Sequence, residues 1–440
     1  MPDAPIARLL ALEKLGIKFG LDNIQTLCSA LHDPHRAYPT VIVAGTNGKG
    51  SVTAMVDAAF GAAGLRAGRY TSPHLIHLAE RFVVAGCEVG SDDLAAAAQE
   101  VLDLIDRLMG AGALSARPTF FEATTAVAFE IFRRAAVDIA VLEVGLGGRL
   151  DATNVASPVA AAITTIALDH ERFLGTSLRD IAFEKAGVIK EGMRVVLGDT
   201  TPEVVEVIAR VCHERGASLI LAQDEVDAEI RRMNDDLVVT LRTVRASYGP
   251  LTLALRGRHQ AQNAVTAVRL LEELAGAGFV IPRAAIEHAL AHTVWQGRLD
   301  ERRLADGRAA LFDAAHNPAG AGALAAYLTE TGQRLPLVFG VMRDKNAEGM
   351  LRALLPKVSA IIATEPRHPR AVAAAELAAL ARGLAPTLAV EVEPEPTRAL
   401  ERAWHVDPRV LVSGSIFLVG ALLAHVEELE RTSGDRGRGP

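Results

Sequence analysis

The chain is poor in cysteine and lacks both a long apolar run and a block of basic charge, and each shortage removes a class of protein. Only three cysteines occur in 440 residues. Cys28, Cys87 and Cys212 are scattered without redox or metal-ligand spacing, so they fit a reducing compartment and small buried hydrophobes rather than a disulfide scaffold. No uninterrupted apolar stretch reaches the ~18 residues of a membrane span. The opening "MPDAPIARLL" carries charge before any apolar stretch, unlike a secretion signal. Net charge is −7 with no basic cluster, so no nucleic-acid partner is expected. The resulting expectation is a cytoplasmic, soluble protein that works as a monomer.

What is there is a chain 50% hydrophobic and 22% charged, long enough for two globular domains. Its mean hydropathy of +0.21 comes mostly from alanine and leucine in amphipathic segments. Short β-branched runs, "TVIVAG" (40–45), "DIAVLEV" (138–144), "VAAAITTIAL" (159–168) and "MRVVLG" (193–198), alternate with helical stretches at 50–64 and 119–136. A second series has strands at 309–315, 336–341, 359–364 and 410–415. This rhythm predicts α/β domains with mostly parallel sheets and a ligand cleft between them. Between the series lie a polar stretch around 224–258 and the turn-like "WQGRLDE" (295–301). The predicted division is 1–297, 298–430 and a disordered tail over 431–440.

"VIVAGTNGKGSVTAMV" (41–56) reads as a strand, a glycine-rich turn and the start of a helix. Gly45, Gly48 and Gly50 free the backbone to wrap an anion, Lys49 adds a full charge, and the helix adds its positive end. With Thr46, Asn47 and Ser51 they form a loop expected to hold nucleotide phosphates; an ordinary strand-helix turn is the alternative. The standard G-x-x-x-x-G-K-[ST] loop places a Mg²⁺-holding hydroxyl directly after its lysine. Here Gly50 stands in that place, so the metal needs ligands from other strand ends.

The sequence offers them. "VLEVGLGGRLDATN" (141–154) puts Glu143 near the end of an apolar strand, where a carboxylate is costly unless paired or bound to a cation. "ITTIALDHERFLG" (163–175) ends a strand with Asp169-His170, and "YTSPHL" (70–75) sets Ser72 in a loop after a short strand. Taken singly, His170 reads as a structural histidine and Ser72 as a cap before Pro73. Beside a phosphate loop they read as a Mg²⁺ site. In "IAFEKAGVIK" (181–190) the residues alone favour a solvated Glu184–Lys185 pair. The alternative is a lysine under apolar cover that loses its proton and takes up CO₂ as a carbamate.

These residues resemble the folylpolyglutamate synthase/dihydrofolate synthase family, the folate branch of the Mur-type amide ligases. The resemblance rests on "VAGTNGKGSV" (43–52), "YTSPHL", "TFFEATTA" (119–126), "EVGLGGRLDATN" (143–154) and "DHERFLGTSLRDIAFEKAGVIK" (169–190), followed in order by "HQAQNA" (259–264), "DAAHNP" (313–318) and "GSIFLVG" (414–420). It implies a P-loop ATPase-like Mur central domain followed by a smaller Rossmann-like domain. It implies ATP-dependent joining of L-glutamate to an acid through an acyl phosphate. Lys49 and the loop 45–51 resemble the triphosphate site, Ser72, Glu143 and His170 the Mg²⁺ ligands, and Lys185 the carbamylated lysine, which reverses the bottom-up preference. Asn263 resembles an adenine-side contact, Arg298 an interdomain phosphate contact and Asp313 a nucleotide-contacting carboxylate, although helix capping and a plain linker charge would look alike. Ala314 replaces the usual glycine of DGAHN, which puts that turn in question. His316 is placed with Lys49 and Lys185 as catalytic; His316 and Ser415 resemble glutamate-pocket residues, with loop capping as the alternative.

Phe120, Phe121 and Glu122, with Asp151, are placed on the acceptor side, where an aromatic ring can lie against a pterin and Glu122 can accept its N–H groups. Core aromatics and a solvated acid are the alternatives. The implied activity is bifunctional, on dihydropteroate and on reduced folates; a folylpolyglutamate synthase alone comes next. A non-catalytic nucleotide-dependent regulator would have eroded Lys185, Asp313 or His316, all of which are present. A cell-wall ligase would carry a UDP-binding domain ahead of a loop that here begins at residue 45.

Overall fold

The computed structural model of the chain describes residues 3–16 and 18–436. Its largest sheet has eight strands: β1 Thr40–Ala44, β2 Ala67–Tyr70, β3 Phe82–Val84, β4 Cys87–Glu88, β5 Ile139–Glu143, β6 Ala160–Ile163, β7 Arg194–Leu197 and β8 Ser218–Leu221. Their order is β4-β3-β2-β5-β1-β6-β7-β8, with only the β2–β3 and β3–β4 pairings antiparallel. The central strands are apolar but for Thr40 and Glu143 at their ends because helices cover both faces; every residue of β1 and β5 is buried. Each buried Val or Ile side chain there contributes on the order of 1.5–3 kcal/mol.

Strand register decides what stands at the carboxyl edge. Val43 lies beside Glu143, Ala44 beside Ile163, and Tyr70 beside Leu142. The segments after β2, β5, β1 and β6 therefore emerge side by side. They carry Ser72, Glu143, the glycine loop and Asp169-His170. The helix Lys49–Ala62 follows the loop, with Gly48 at its cap in a left-handed conformation, φ 89°.

The polar stretch around 224–258, to which the sequence assigned no strands, holds an antiparallel sheet, β9 Asp227–Met233, β10 Asp236–Arg242 and β11 Ser247–Leu253. Only one face is buried, through Leu237, Val239, Leu241, Tyr248 and Leu253, so charged residues on the other face hid its alternation.

The third sheet comprises β12 Asp300–Arg303, β13 Ala309–Asp313, β14 Pro336–Phe339, β15 Ala360–Ala363, β16 Ala389–Val392 and β17 Arg409–Ser413. Its order is β12-β13-β17-β14-β15-β16, parallel except for the edge strand β12. The chain passes into it once, between the helix ending at His292 and β12. The last helix, Ile416–Arg436, runs past the point where a tail was expected. Thr432 prolongs it by donating its hydroxyl to the Glu428 carbonyl at 3.1 Å; residues 437–440 lie outside the described residues. Gly420 lets this helix press against the Leu75 carbonyl of the Ser72 loop, a contact that a Cβ would block.

Candidate active site

A cleft of about 690 Å³ lies between the carboxyl edges of the large and the third sheet. The glycine loop forms its floor. Gly45 (φ 141°) and Gly48 (φ 89°) occupy the left-handed region, and a Cβ would collide with Thr164 at the first and Asn263 at the second. The loop is tied to the end of β6: Thr46 N–H donates to the Thr165 carbonyl at 2.7 Å, and Thr164 Oγ1 to the Asn47 carbonyl at 2.7 Å. Lys49 Nζ donates to the Thr46 carbonyl at 3.2 Å. Desolvation lowers its ammonium, opposed by the charges of Glu143 and Asp169.

Ser72 and Glu143 meet as the strand register requires, and His170 lines the same cleft. Ser72 N–H donates to Glu143 Oε2 at 3.2 Å, and Ser72 Oγ is buried without a hydrogen-bond partner. Burial raises the Glu143 carboxyl, an effect countered by Lys49. His170 takes a left-handed conformation, φ 53°. Burial and the Lys345 ammonium lower its ring to about 4, leaving a neutral imidazole near pH 7.

Lys185 is inward-facing, not half of a solvated pair. On the helix Leu178–Ala186 it lies four residues after Ile181 and three after Ala182, both fully buried, so it shares their face. Glu184 points the other way and pairs with Arg149 at 2.8 Å. Lys185 Nζ donates to the Gly45 carbonyl at 2.8 Å. Burial and the Lys49 charge bring its amine down to about 7.

The facing wall comes from the third sheet. Asp313, at the end of β13, accepts from Leu299 N–H at 3.1 Å and Ala315 N–H at 3.0 Å. Ala314 is absent from the positive-φ residues, so the turn accommodates alanine without strain. His316 Nδ1 lies 2.9 Å from the Ala314 carbonyl, and its Nε2 lies 3.6 Å from Asp169 Oδ2. Arg298 lines the cleft opposite Lys49 and Glu143, with no ion-pair partner among the described residues. Asn263 is buried and donates to Gln260 Oε1 at 2.9 Å.

One expectation changes. Asp151 lines the cleft but spends its carboxylate on its own loop, accepting from Gly145, Leu146 and Thr153 N–H and from Thr153 Oγ1 at 2.6 to 3.0 Å. It shapes the glycine-rich segment and has no oxygen left for a direct substrate contact. Ser415 also lines the cleft; its hydroxyl accepts from Phe417 N–H at 3.2 Å at the start of the last helix and keeps its own proton to donate. Glu122 is in between: Oε2 closes a capping box with Thr119, while Phe120 and Phe121 line the cleft beside it. Phe120 lies under the Arg81 guanidinium at 5.0 Å, and Phe121 fills the space over Gly145.

Sequence reasoning missed the group that joins the two walls. Asp169 accepts from Lys345 Nζ at 2.6 Å and Asn317 Nδ2 at 3.1 Å, while Lys345 Nζ also lies 3.1 Å from His170 Nε2. Burial raises the Asp169 carboxyl, but His316 and Lys345 outweigh it and hold the group well below the usual carboxylate range. No local spacing announces partners that lie so far apart in the chain.

Comparison with known proteins matches this construction. Residues 43–271 match the Mur ligase middle domain and residues 297–416 the Mur ligase glutamate ligase domain. The chain is therefore a Mur-type ligase, an ATP-dependent enzyme that forms amides. It is 37% identical over 407 residues to the dihydrofolate synthase/folylpolyglutamate synthase of Mycobacterium tuberculosis, covering 86% of this chain and 82% of that one. The structure of Mycobacterium tuberculosis folylpolyglutamate synthase complexed with ADP and AMPPCP superposes with a TM-score of 0.89 at 34% identity, over 96% of this chain and 99% of that one. A bifunctional folylpolyglutamate synthase/dihydrofolate synthase with Mn, AMPPNP and L-glutamate bound gives 0.81 at 29% identity, over 96% and 98%. The chain belongs to the folylpolyglutamate synthase/dihydrofolate synthase family.

Proposed function

We propose that the cleft carries out both glutamylations with one set of residues divided between its walls. The reading rests above all on the convergence of Lys49, Ser72, Glu143, His170 and Lys185 at one sheet edge, with Arg298, Asp313 and His316 opposite. The loop 45–51 holds the β- and γ-phosphates of ATP through its N–H groups, and Lys49 neutralises charge on the transferring group. Asn263 borders the adenine side, and Asp313 contacts the nucleotide from the facing wall. Arg298 reaches the phosphates from the facing wall.

A divalent ion fits the floor: a buried hydroxyl without a partner, a carboxylate and a neutral imidazole form a hard-donor set for Mg²⁺. Ser72 Oγ, Glu143 and a ring nitrogen of His170 would hold it, and it would offset phosphate charge during transfer. Lys185, desolvated beside Gly45, is uncharged often enough to add CO₂ and release a proton, leaving a carbamate suited to bridging metal or orienting a nucleophile. Phe120 and Phe121 present faces to the pterin, and Glu122 accepts from its ring N–H groups. His316, fixed by the Ala314 carbonyl, borders the place where the amine of L-glutamate arrives. Closely apposed walls keep water from the acyl phosphate.

The experiment supplies the purified protein with Mg²⁺, ATP, L-glutamate and either dihydropteroate or a reduced folate monoglutamate, and weighs the products. Each acceptor should gain one glutamyl unit with release of ADP. Turnover of neither would remove the assignment; turnover of one alone would restrict it to that half. Phe121→Ala should raise KM for both acceptors if its ring stacks on the pterin.

A further inference from the structure

Gly50 differs from the other glycines of its loop. Gly45 and Gly48 take positive φ angles, which their backbone demands, whereas Gly50 sits in ordinary helical conformation. Its lack of a side chain answers to space. A Cβ there would lie 2.5 Å from Trp295 Cζ2 and 2.8 Å from Cε2. The indole is backed by the Arg69 guanidinium, 5.3 Å from the ring centroid. Arg69 in turn pairs at 3.1 Å with Asp57, on the same helix as Gly50.

Trp295 belongs to the single segment that joins the helix ending at His292 to β12. The other end of that segment is clipped to the third sheet, by Ala314 N–H to the Gly297 carbonyl at 2.8 Å and Leu299 N–H to Asp313 Oδ2 at 3.1 Å. Arg298 stands between the two anchorages, with no ion pair of its own among the described residues to fix it.

We propose that Trp295 is a positioning residue for the reaction: its ring, seated on Gly50, sets where Arg298 stands against the Lys49–Glu143 end of the cleft. The inference rests on the reading above that Arg298 serves the nucleotide phosphates. The phosphate loop and the interdomain segment are thus fitted to each other, and the glycine after Lys49 is the imprint of that fit.

The test uses the full chain, with ATP affinity by calorimetry, kcat by ADP release and melting temperature to establish folding. Gly50→Ala should weaken ATP binding about tenfold or more, and adding Trp295→Leu should restore it to within about threefold, as for contacting residues in a double-mutant cycle. Trp295→Leu alone should lower kcat about tenfold more than it changes ATP affinity, and this loss should not multiply with that of Arg298→Ala. Trp295→Phe, which keeps a ring on Gly50, should retain most activity. Unaltered ATP binding by Gly50→Ala, absence of rescue, or fully multiplicative losses would overturn the proposal while leaving the nucleotide reading intact. A fully active Arg298→Ala would instead overturn the role of Arg298, and the positioning proposal with it.

Discussion

The side-chain amides of Asn47 and Asn317 pair reciprocally across the cleft, Asn47 Nδ2 donating to Asn317 Oδ1 at 3.3 Å and Asn317 Nδ2 to Asn47 Oδ1 at 3.0 Å. One belongs to the phosphate loop and the other begins the helix Pro318–Thr331 of the facing wall. Asn317 also donates to Asp169, so one buried amide ties the loop, the end of β6 and the third sheet together.

Asn317→Ala should therefore loosen the apposition of the walls. The expected outcome is a kcat about tenfold lower, equivalent to ~1.4 kcal/mol, with a smaller change in ATP affinity. Steady-state kinetics with calorimetric ATP binding would check it. A proportionate loss in both would place Asn317 in nucleotide binding instead.

Lys49→Ala should leave the melting temperature nearly unchanged, because its hydrogen bond lies within its own loop, and largely abolish turnover. Retention of more than about a tenth of wild-type kcat, a loss below ~1.4 kcal/mol, would count against its phosphate role.

Glu143→Ala and His170→Ala should each abolish the response to Mg²⁺, and the double variant should be little worse than either single one. Groups that hold one ion act as a unit. Titration of activity against Mg²⁺ reads the effect directly; multiplicative losses with an unchanged Mg²⁺ requirement would separate the two residues.

Lys185 gives a pH dependence with a definite sign. Its folded amine titrates at about 7, below the ordinary 10.5, so the uncharged form that accepts CO₂ grows as pH rises through 7. Protein stripped of CO₂ at about pH 6 should be weakly active, and bicarbonate should restore it far better at about pH 8. The same shift affects stability. Between about 7 and 10.5 the unfolded chain binds a proton that the folded one has released, so this group makes stability rise across that window. Below 7 the full cost of burying the ammonium is in place. Lys185→Ala should be partly rescued by acetate; near-normal activity of that variant without acetate would dismiss the carbamate.

The chain order of strands and the nucleotide loop were legible because their signals are local. β1, β5 and β13 are short apolar runs that end in chemistry, and a residue beside such an end is easily singled out, as Glu143 was; Asp313, at the end of β13, was named only through the resemblance. Lys185 was legible only through resemblance. Its neighbour Glu184 suggests a pair, and only the helical phase against Ile181 and Ala182 shows that the two side chains part. Asp169 stands next to His170 in sequence, yet its importance comes from Lys345 and Asn317, contributed by the other sheet. Trp295 shows the same limit, since nothing in "WQGRLDE" reveals that the indole occupies the space above Gly50. The antiparallel strands β9–β11 escaped notice because β9, with "DAEIRRM", buries almost nothing.

The single covalent crossing between the walls turns segment length into a chemical variable. Both ends of the stretch from Trp295 to Leu299 are anchored, one by a ring against a helix and the other by hydrogen bonds to β13 and the turn after it. An extra residue between Trp295 and Arg298 would fall outside every helix and strand. It would nevertheless put the guanidinium out of phase with the phosphate loop, so that the enzyme would be silenced by a change of spelling that alters no catalytic side chain and interrupts no helix or strand.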